Sequence, residues 1–196
     1  YKIENSIVIL GSGPIRIGQG IEFDYSTVHG VQAVRKAGYE AVVVNNNPET
    51  VSTDFDASDR LYFEPLDAES IFEILDVEKP YGIILQLGGQ TAVNLASKVE
   101  EYIQKEKLKT KILGTRVRDM DAAEDRGKCG ELMRKADIKM PEWAIAKSSD
   151  EVITRAEEIG FPVLVRPSFV LGGRGMEIVH NDKQLKKYLR LETHAT

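Results

Sequence analysis

The chain has 196 residues, of which 42% are hydrophobic and 29% charged, a composition typical of a globular protein with one large domain or two small ones. Its formal net charge is −5, without any block of Lys or Arg, which argues against a nucleic-acid partner. One cysteine, no signal-peptide pattern and no apolar run near the roughly 20 residues that span a bilayer predict a cytoplasmic protein without a membrane partner.

The first part of the chain alternates strand and helix patterns. Apolar runs typical of buried parallel strands lie at residues 6–10, 41–44 and 82–85, and shorter strands are predicted at 61–63 and 111–113. Helices are predicted at residues 22–37, 68–78 and 91–105, the second capped by Asp67. Repeated βα units of this length predict an α/β fold with an open parallel, Rossmann-like sheet.

The pattern changes after Gly114, and we place a domain boundary between residues 115 and 116. The second part, 116–196, is predicted to be a small α+β unit. Its predicted elements are a charged helix at 119–136, a strand at 143–146, a helix capped by Ser148 and ending at Gly160, a hairpin, and a last helix at 182–191 capped by Asn181.

The hairpin is the stretch FPVLVRPSFVLGGRGMEIV at residues 161–179. Two short β-branched runs flank a turn that contains Gly172, Gly173, Arg174 and Gly175, and Arg166 ends the first run. Glycines let backbone N–H groups approach an anion closely, and arginines add fixed positive charge. The pattern predicts a flap over phosphates. The alternative is a turn whose glycines only permit the bend.

Arg126, in the predicted charged helix, strengthens the phosphate interpretation. Together with Arg166 it offers two guanidinium groups on separate elements of one small unit. Such groups can converge on a triphosphate and neutralise charge during transfer. Each arginine alone is also compatible with a surface ion pair.

A second glycine-rich loop, GSGPIRIGQG at residues 11–20, only partly resembles a dinucleotide-binding fingerprint. Arg16 occupies the place of the third glycine, and the second strand ends in three asparagines at 45–47 instead of an acid. We therefore do not expect NAD binding. Gly88 and Gly89 lie on the same predicted sheet edge, where tight βα turns are the simpler explanation of their presence.

No metal site or catalytic triad is predicted within these residues. The acidic loop at 48–59 lacks the spacing of a calcium loop, and His29, His180 and His194 are isolated. Cys129 has no histidine nearby in the sequence, so we expect it to be buried and inert.

Four motifs in this order resemble the large subunit of carbamoyl phosphate synthase: FDYSTVHGVQAVRKAGYEAVVVNNNPETVSTDFDASDRLYFEP, QLGGQTA, DAAEDRGK and VRPSFVLGGRGMEIV. The resemblance covers residues 6–189 and is closer to the second synthetase half of that family than to the first. Cys129 departs from it, since the family more often has an aromatic residue at this position.

The resemblance implies a pre-ATP-grasp domain followed by the first lobe of an ATP-grasp domain. The implied reaction is the phosphorylation of carbamate by ATP, in a synthase that uses bicarbonate, glutamine or ammonia and two ATP for arginine and pyrimidine biosynthesis. Arg126 and Arg166 are then ATP contacts, Gly172 and Gly173 form the flap, and Arg174 and Arg166 stabilise phosphate.

The implied cofactor is Mg²⁺, with Mn²⁺ as a second option, and the family's metal ligands are expected beyond residue 196. The implied partners are the remainder of the large subunit and the glutamine amidotransferase small subunit. We expect the 196-residue polypeptide alone to be inactive and to bind ATP weakly. The alternatives are another ATP-grasp ligase or carboxylase, and a non-catalytic assembly module.

Overall fold

The structure is a computed structural model that describes residues 5–16, 18–166 and 175–192. Backbone contacts divide the chain into two compact units, Tyr1–Glu124 and Asp125–Thr196. The helix at Val117–Glu124 belongs to the first unit because Val117 and Met120 are buried in its core. The domain boundary between residues 115 and 116 stays a prediction.

The first unit contains a five-stranded parallel sheet. Its strands are β1 (Ser6–Leu10), β2 (Glu40–Val44), β3 (Arg60–Tyr62), β4 (Gly82–Ile84) and β5 (Lys111–Leu113), in the spatial order β3-β2-β1-β4-β5. β1 and β2 form the middle of the sheet, and their residues from position 7 to 10 and 41 to 44 are buried. Because such strands are covered on both faces, their uninterrupted apolar runs predicted them correctly.

Helices cover both faces of this sheet. They are α1 (Glu22–Lys36), α2 (Ala68–Glu78), α3 (Gln90–Val93), α4 (Ala96–Lys105) and α5 (Val117–Glu124). One core cluster joins α2, α4 and α5 to one face of the sheet, and a second joins α1 to the other. The predicted α/β class is confirmed. The single helix predicted at 91–105 is wrong, because the Leu95 N–H turns back to Ala92 O at 3.1 Å and separates α3 from α4.

Among its described residues, the second unit contains three helices and one hairpin. They are α6 (Arg126–Lys135), α7 (Ser149–Ile159), β6 (Val163–Val165), β7 (Glu177–Val179) and α8 (Asp182–Glu192). The strands pair antiparallel, with Leu164 opposite Ile178. One face of the hairpin packs on α7 and α8 through a core around Val179, Leu185 and Tyr188. The predicted hairpin strands are therefore confirmed.

Two element predictions in this part of the chain are wrong. The helix predicted at 119–136 is divided at Asp125, whose carboxylate accepts the Lys128 N–H at 3.0 Å and caps a new helix. The strand predicted at 143–146 is an extended segment without strand pairing. Its side chains pack on α6 instead. The Trp143 ring lies so close to Gly130 that a Cβ added to this glycine would be 2.0 Å from the ring.

The predicted helix caps are confirmed. Asp67, Ser148 and Asn181 each accept a hydrogen bond from the N–H three residues later, at 2.9, 3.2 and 3.0 Å. None of the helices in the described residues is both long and apolar enough to cross a membrane.

Candidate functional site

The loops at the carboxyl ends of β1 and β4 meet where the strand order reverses, which is the place where open α/β sheets usually bind ligands. Here the two loops are in direct contact. A Cβ at Gly88 would lie 2.0 Å from the carbonyl oxygen of Gly11, so only glycine permits this approach. Gly89 has a φ of +69°, which also favours glycine. These glycines serve close packing and a tight turn.

Asn45 connects the glycine-rich loop to the loop after β2. This side chain is fully buried. Its Oδ1 accepts the Gly13 N–H at 3.0 Å, and its Nδ2 donates to Ser52 Oγ at 3.0 Å. Both polar atoms of the amide are thus satisfied within the protein, which is what burial of such a group requires. Asn47 adds a hydrogen bond to Gly13 O at 3.3 Å.

Asp24, on α1, fixes the same loop from the other side. Its buried carboxylate accepts the N–H groups of Val51 at 2.9 Å and Ser52 at 3.3 Å. Together, Asn45 and Asp24 attach α1 and two strand-end loops to one another. The carboxyl edge of the sheet is therefore a locked polar network, a feature that the sequence did not reveal.

A second polar network lies at the β3 edge. Arg60 donates to Glu78 from Nε and Nη2 at 3.0 and 2.9 Å and also pairs with Glu40. Burial alone would lower the pKa of Arg60, but the hydrogen bonds with Glu78 and Glu40 outweigh it and raise the pKa. Burial and the 2.7 Å hydrogen bond to Glu78 raise the pKa of Tyr62 to about 12. This network joins β2, β3 and α2 and holds the sheet edge.

In the second unit, Arg126 is the first residue of α6, directly after the Asp125 cap, and its side chain is exposed. The extended segment after α6 holds this helix in place. Ile145 would lie 3.1 Å from a Cβ at Gly127, and Trp143 fills the space left by Gly130. Since positions three apart share one face of a helix, these two glycines make the groove that receives the segment.

Arg166 directly follows β6, and it is exposed. β6 packs its alternate residues Val163 and Val165 into the core with α7 and α8, so the strand that leads to Arg166 is anchored. The other predicted site residues of the turn, Gly172, Gly173 and Arg174, lie outside the described residues. The convergence of Arg126 and Arg166 on one ligand stays a prediction.

Tyr188, on α8, was missed by the sequence analysis. Its hydroxyl donates to the carbonyl oxygen of Gly175 at 2.7 Å, and its ring is buried. Gly175 has a φ of +70° and precedes β7 by two residues. Tyr188 therefore fixes the point at which the glycine turn rejoins the hairpin. A tyrosine in an amphipathic helix gives no signal of such a contact.

The polar networks and the candidate phosphate site include none of the other titratable candidates that the structure describes, which are Cys129, His29 and His180. Cys129 is half-buried rather than buried, which corrects that expectation. His29 and His180 are exposed, and His194 lies outside the described residues. Within residues 5–16, 18–166 and 175–192, no cluster of His, Cys, Asp and Glu could hold a metal ion.

Several enzymes of known structure share the fold of this chain. A 2-oxoglutarate carboxylase biotin carboxylase domain from Hydrogenobacter thermophilus, crystallised with MgADP, ADP and bicarbonate, matches with a TM-score of 0.66 and 24% identity over 95% of this chain and 40% of its own. An N5-carboxyaminoimidazole synthetase from Staphylococcus aureus matches with a TM-score of 0.64 and 18% identity over 97% and 45%.

A biotin carboxylase from Campylobacter jejuni, in complex with a compound described as β-γ-ATP, matches with a TM-score of 0.63 and 18% identity over 96% of this chain and 41% of its own. The chain therefore spans less than half the length of each of these three proteins. Identities this low establish the fold alone.

The sequence itself identifies the family. Residues 3–122 match the carbamoyl phosphate synthase pre-ATP-grasp domain, and residues 125–196 match the ATP-binding domain of the carbamoyl-phosphate synthase L chain. The chain belongs to the carbamoyl phosphate synthase large-chain family. The resemblance found in the four sequence motifs is thus confirmed.

Proposed function

We propose that the chain is part of a carbamoyl phosphate synthase large subunit and that its second unit takes part in the phosphorylation of carbamate by ATP. The observation that carries this proposal is the anchored hairpin β6–β7, with Arg166 exposed where the glycine turn begins. The matches to both family domains, in the expected order, support it.

In the proposed reaction a carbamate oxygen attacks the γ-phosphorus of ATP. A new O–P bond forms, the bond from the γ-phosphorus to the β–γ bridging oxygen breaks, and ADP leaves with the bonding electrons. Negative charge accumulates on the transferring group and on the leaving oxygen, so donors fixed in advance lower the barrier. We assign this role to Arg126 and Arg166, with Arg174 as a further phosphate contact.

The glycine turn supplies the second part of the mechanism. We assign Gly172 and Gly173 to backbone contacts with the phosphates, since glycine allows close approach of N–H groups to an anion. Tyr188 contacts the described end of this turn at the Gly175 carbonyl, at 2.7 Å. It is therefore a positioning residue, which keeps the end of the turn in register with β7.

Mg²⁺ bound to ATP would neutralise phosphate charge in such a reaction, and Mn²⁺ can substitute for it chemically. The described residues do not provide its ligands, since none of their acidic groups cluster as a metal site requires. We therefore assign no step of the reaction to a metal held by these residues. Further proposed partners are the rest of the large subunit and a glutamine amidotransferase subunit, in the cytoplasm.

Two other functions are distinguishable by experiment. Biotin carboxylases share this fold, so a carboxylase that activates bicarbonate for transfer to biotin is the enzymatic alternative. A non-catalytic assembly module is the other. The carboxylase predicts ATP hydrolysis that depends on biotin, and the assembly module predicts no turnover of ATP.

The test uses a large subunit that contains residues 1–196. We expect it to make ATP from ADP and carbamoyl phosphate, which reverses the proposed step without requiring glutamine or bicarbonate. We also expect no ATP hydrolysis that depends on free biotin. Turnover that depends on biotin would support the carboxylase, and neither activity in a folded, nucleotide-binding subunit would support the assembly module.

A further inference from the structure

The two edges of the five-stranded sheet carry opposite charge. Residues 64–78, which follow β3 and include α2, contain six acidic and no basic residues, for a net charge of −6. Residues 105–118, which surround β5, contain six basic residues and one acidic residue, for a net charge of +5. The first unit is thus strongly polarised from one sheet edge to the other.

The acidic edge combines exposed carboxylates with exposed apolar side chains. Glu64, Asp67, Glu69, Glu73 and Asp76 are all exposed, and none forms an ion pair with a described residue. Beside them, Val77 is 74% exposed and Phe63 is 51% exposed. Glu64, Glu73 and Val77 line a shallow groove of about 190 Å³ between β3 and α2. An apolar surface rimmed by like charges is typical of an interaction site.

The basic edge offers a larger groove, of about 350 Å³, between α4, β5 and the start of α5. Ile103, Ile112 and Val117 form its apolar part, and Lys111 and Arg116 stand beside them. Arg116 and Lys109 are exposed and form no ion pair with a described residue. Glu100 also lines the groove and is the one acid among these groups.

We propose that the acidic edge of one copy of this chain docks on the basic edge of a second copy. The two grooves match in charge, and the exposed Phe63 and Val77 provide apolar groups for the larger groove. The contact joins different surfaces, head to tail, and leaves one edge free on each of the two copies in a dimer. A symmetric contact of either edge with itself would oppose like charges.

Lysines on an edge strand have a second physical explanation, since they discourage uncontrolled strand pairing. That explanation accounts for Lys111, on β5. It does not account for a complementary edge with exposed Phe63 and Val77 at the opposite end of the sheet. The two explanations differ in one measurable respect, because only docking makes association depend on both edges.

The test is sedimentation velocity of the 196-residue chain over a range of concentrations, at about 0.1 M and about 1 M NaCl. Screening lengths at these salt concentrations are about 10 and 3 Å, so electrostatic docking weakens at the higher salt. We expect concentration-dependent dimers and larger species at low salt and at least tenfold weaker association at high salt. A chain that is monomeric in both salts, or associates equally in both, overturns the proposal.

Charge reversal identifies the surfaces. The double variants Glu64→Lys with Glu73→Lys, and Lys109→Glu with Arg116→Glu, should each be monomeric, while an equimolar mixture of the two should associate again. The control Lys183→Glu with Lys187→Glu makes the same charge change as the second variant, on exposed positions of α8, and should associate like the unmodified chain. Circular dichroism verifies the fold of each variant. Failure of the mixture to associate, when both variants are folded, contradicts a head-to-tail contact.

Discussion

The chain contains two glycine-rich loops, and they are held in different ways. The loop after β1 is attached to its surroundings by Asn45, and it touches the loop after β4 through the contact of Gly88 with Gly11. The turn of the hairpin begins at exposed Arg166 and is fixed at its far end by Tyr188 through Gly175. Glycine therefore has two purposes here: close packing in the first loop and, we propose, phosphate binding in the second.

This comparison shows why a glycine count is a weak indicator of a nucleotide site. The same residue type relieves a steric conflict at Gly88 and would expose N–H donors at Gly172. What separates the two is the environment: the buried amide of Asn45, with both polar atoms hydrogen-bonded, in one case, and exposed cations in the other. Substitutions in the first loop should therefore change stability, and those in the second should change activity.

Arg166→Ala should have the largest effect on activity. Loss of one fixed donor to the transferring phosphoryl group is expected to lower the rate of ATP synthesis from ADP and carbamoyl phosphate by about 10²- to 10³-fold. The free energy of unfolding should change by less than about 0.5 kcal/mol, because the side chain is exposed. Steady-state assays and urea unfolding of the large subunit measure both quantities.

The matched control is Arg155→Ala, which removes an exposed arginine of the same unit that pairs with Glu158 at 2.7 Å. Activity within twofold of the unmodified subunit is expected for this control. If the two variants lose activity equally, Arg166 has no special part in the reaction.

Asn45→Ala should have the largest effect on stability. The substitution leaves the buried Gly13 N–H without its acceptor and removes the hydrogen bond to Ser52, so we expect a loss of about 3 kcal/mol in the free energy of unfolding. Urea unfolding of the 196-residue chain measures it.

Asn46→Ala provides the comparison, since the neighbouring Asn46 has a side-chain oxygen without any hydrogen-bond partner among the described residues. A change below about 0.5 kcal/mol is expected there. Equal effects of the two substitutions would show that the Asn45 network does not hold the loop.

Tyr188→Phe should have a smaller and mixed effect. The ring stays in the core and the hydrogen bond to Gly175 O is lost, so the cost in stability should be about 1 kcal/mol. If Tyr188 positions the glycine turn, the KM for ATP should rise several-fold with little change in kcat for a substrate-saturated enzyme. Loss of stability with unchanged KM would restrict Tyr188 to a structural role.

Tyr62→Phe should have the smallest effect on activity and a diagnostic effect on stability at high pH. The pKa of Tyr62 is raised to about 12, first by burial and then by Glu78, whereas an unfolded tyrosine titrates near about 10. The resulting stabilisation is complete below pH 10 and is lost as the pH rises through 12.

Between pH 9 and 12, the free energy of unfolding should therefore decrease less steeply with pH in Tyr62→Phe than in the unmodified chain. Tyr25→Phe, which alters an exposed tyrosine of α1, should leave the slope unchanged. An equal pH dependence of the free energy of unfolding in all three proteins would contradict the raised pKa of Tyr62. A changed rate of ATP synthesis in Tyr62→Phe would weaken the assignment of activity to the turn of the hairpin.

Local signals in the sequence were enough to predict most of the fold. Buried central strands such as β1 and β2 are apolar along their whole length, and Asp67, Ser148 and Asn181 cap helices through contacts only three residues away. Contacts distant in sequence were not predictable. Asn45 accepts a hydrogen bond from Gly13, which lies 32 residues away in the sequence. The sequence does not show whether an asparagine side chain is buried or lies in a solvated loop.

The two failures in the second unit have the same origin. Trp143 and its apolar neighbours have a strand-like composition, but the shallow groove at Gly127 and Gly130 accepts them against α6. In the sequence, Asp125 resembles any other charged residue of a helical pattern. The structure shows that its carboxylate accepts the Lys128 N–H and caps a new helix. For the candidate site, Arg126 and Arg166 were singled out from the sequence, whereas Tyr188 depends on a tertiary contact and was not.

Hydrogen exchange of the large subunit with and without ATP compares the two glycine-rich loops most directly. Amides of residues 166–175 should exchange more slowly when ATP is bound, while those of residues 11–20 should exchange at the same rate in both conditions. Arg166→Ala should remove the ATP-dependent protection. Protection of residues 11–20 by ATP, with no change at 166–175, would contradict the assignment of the hairpin as the nucleotide flap.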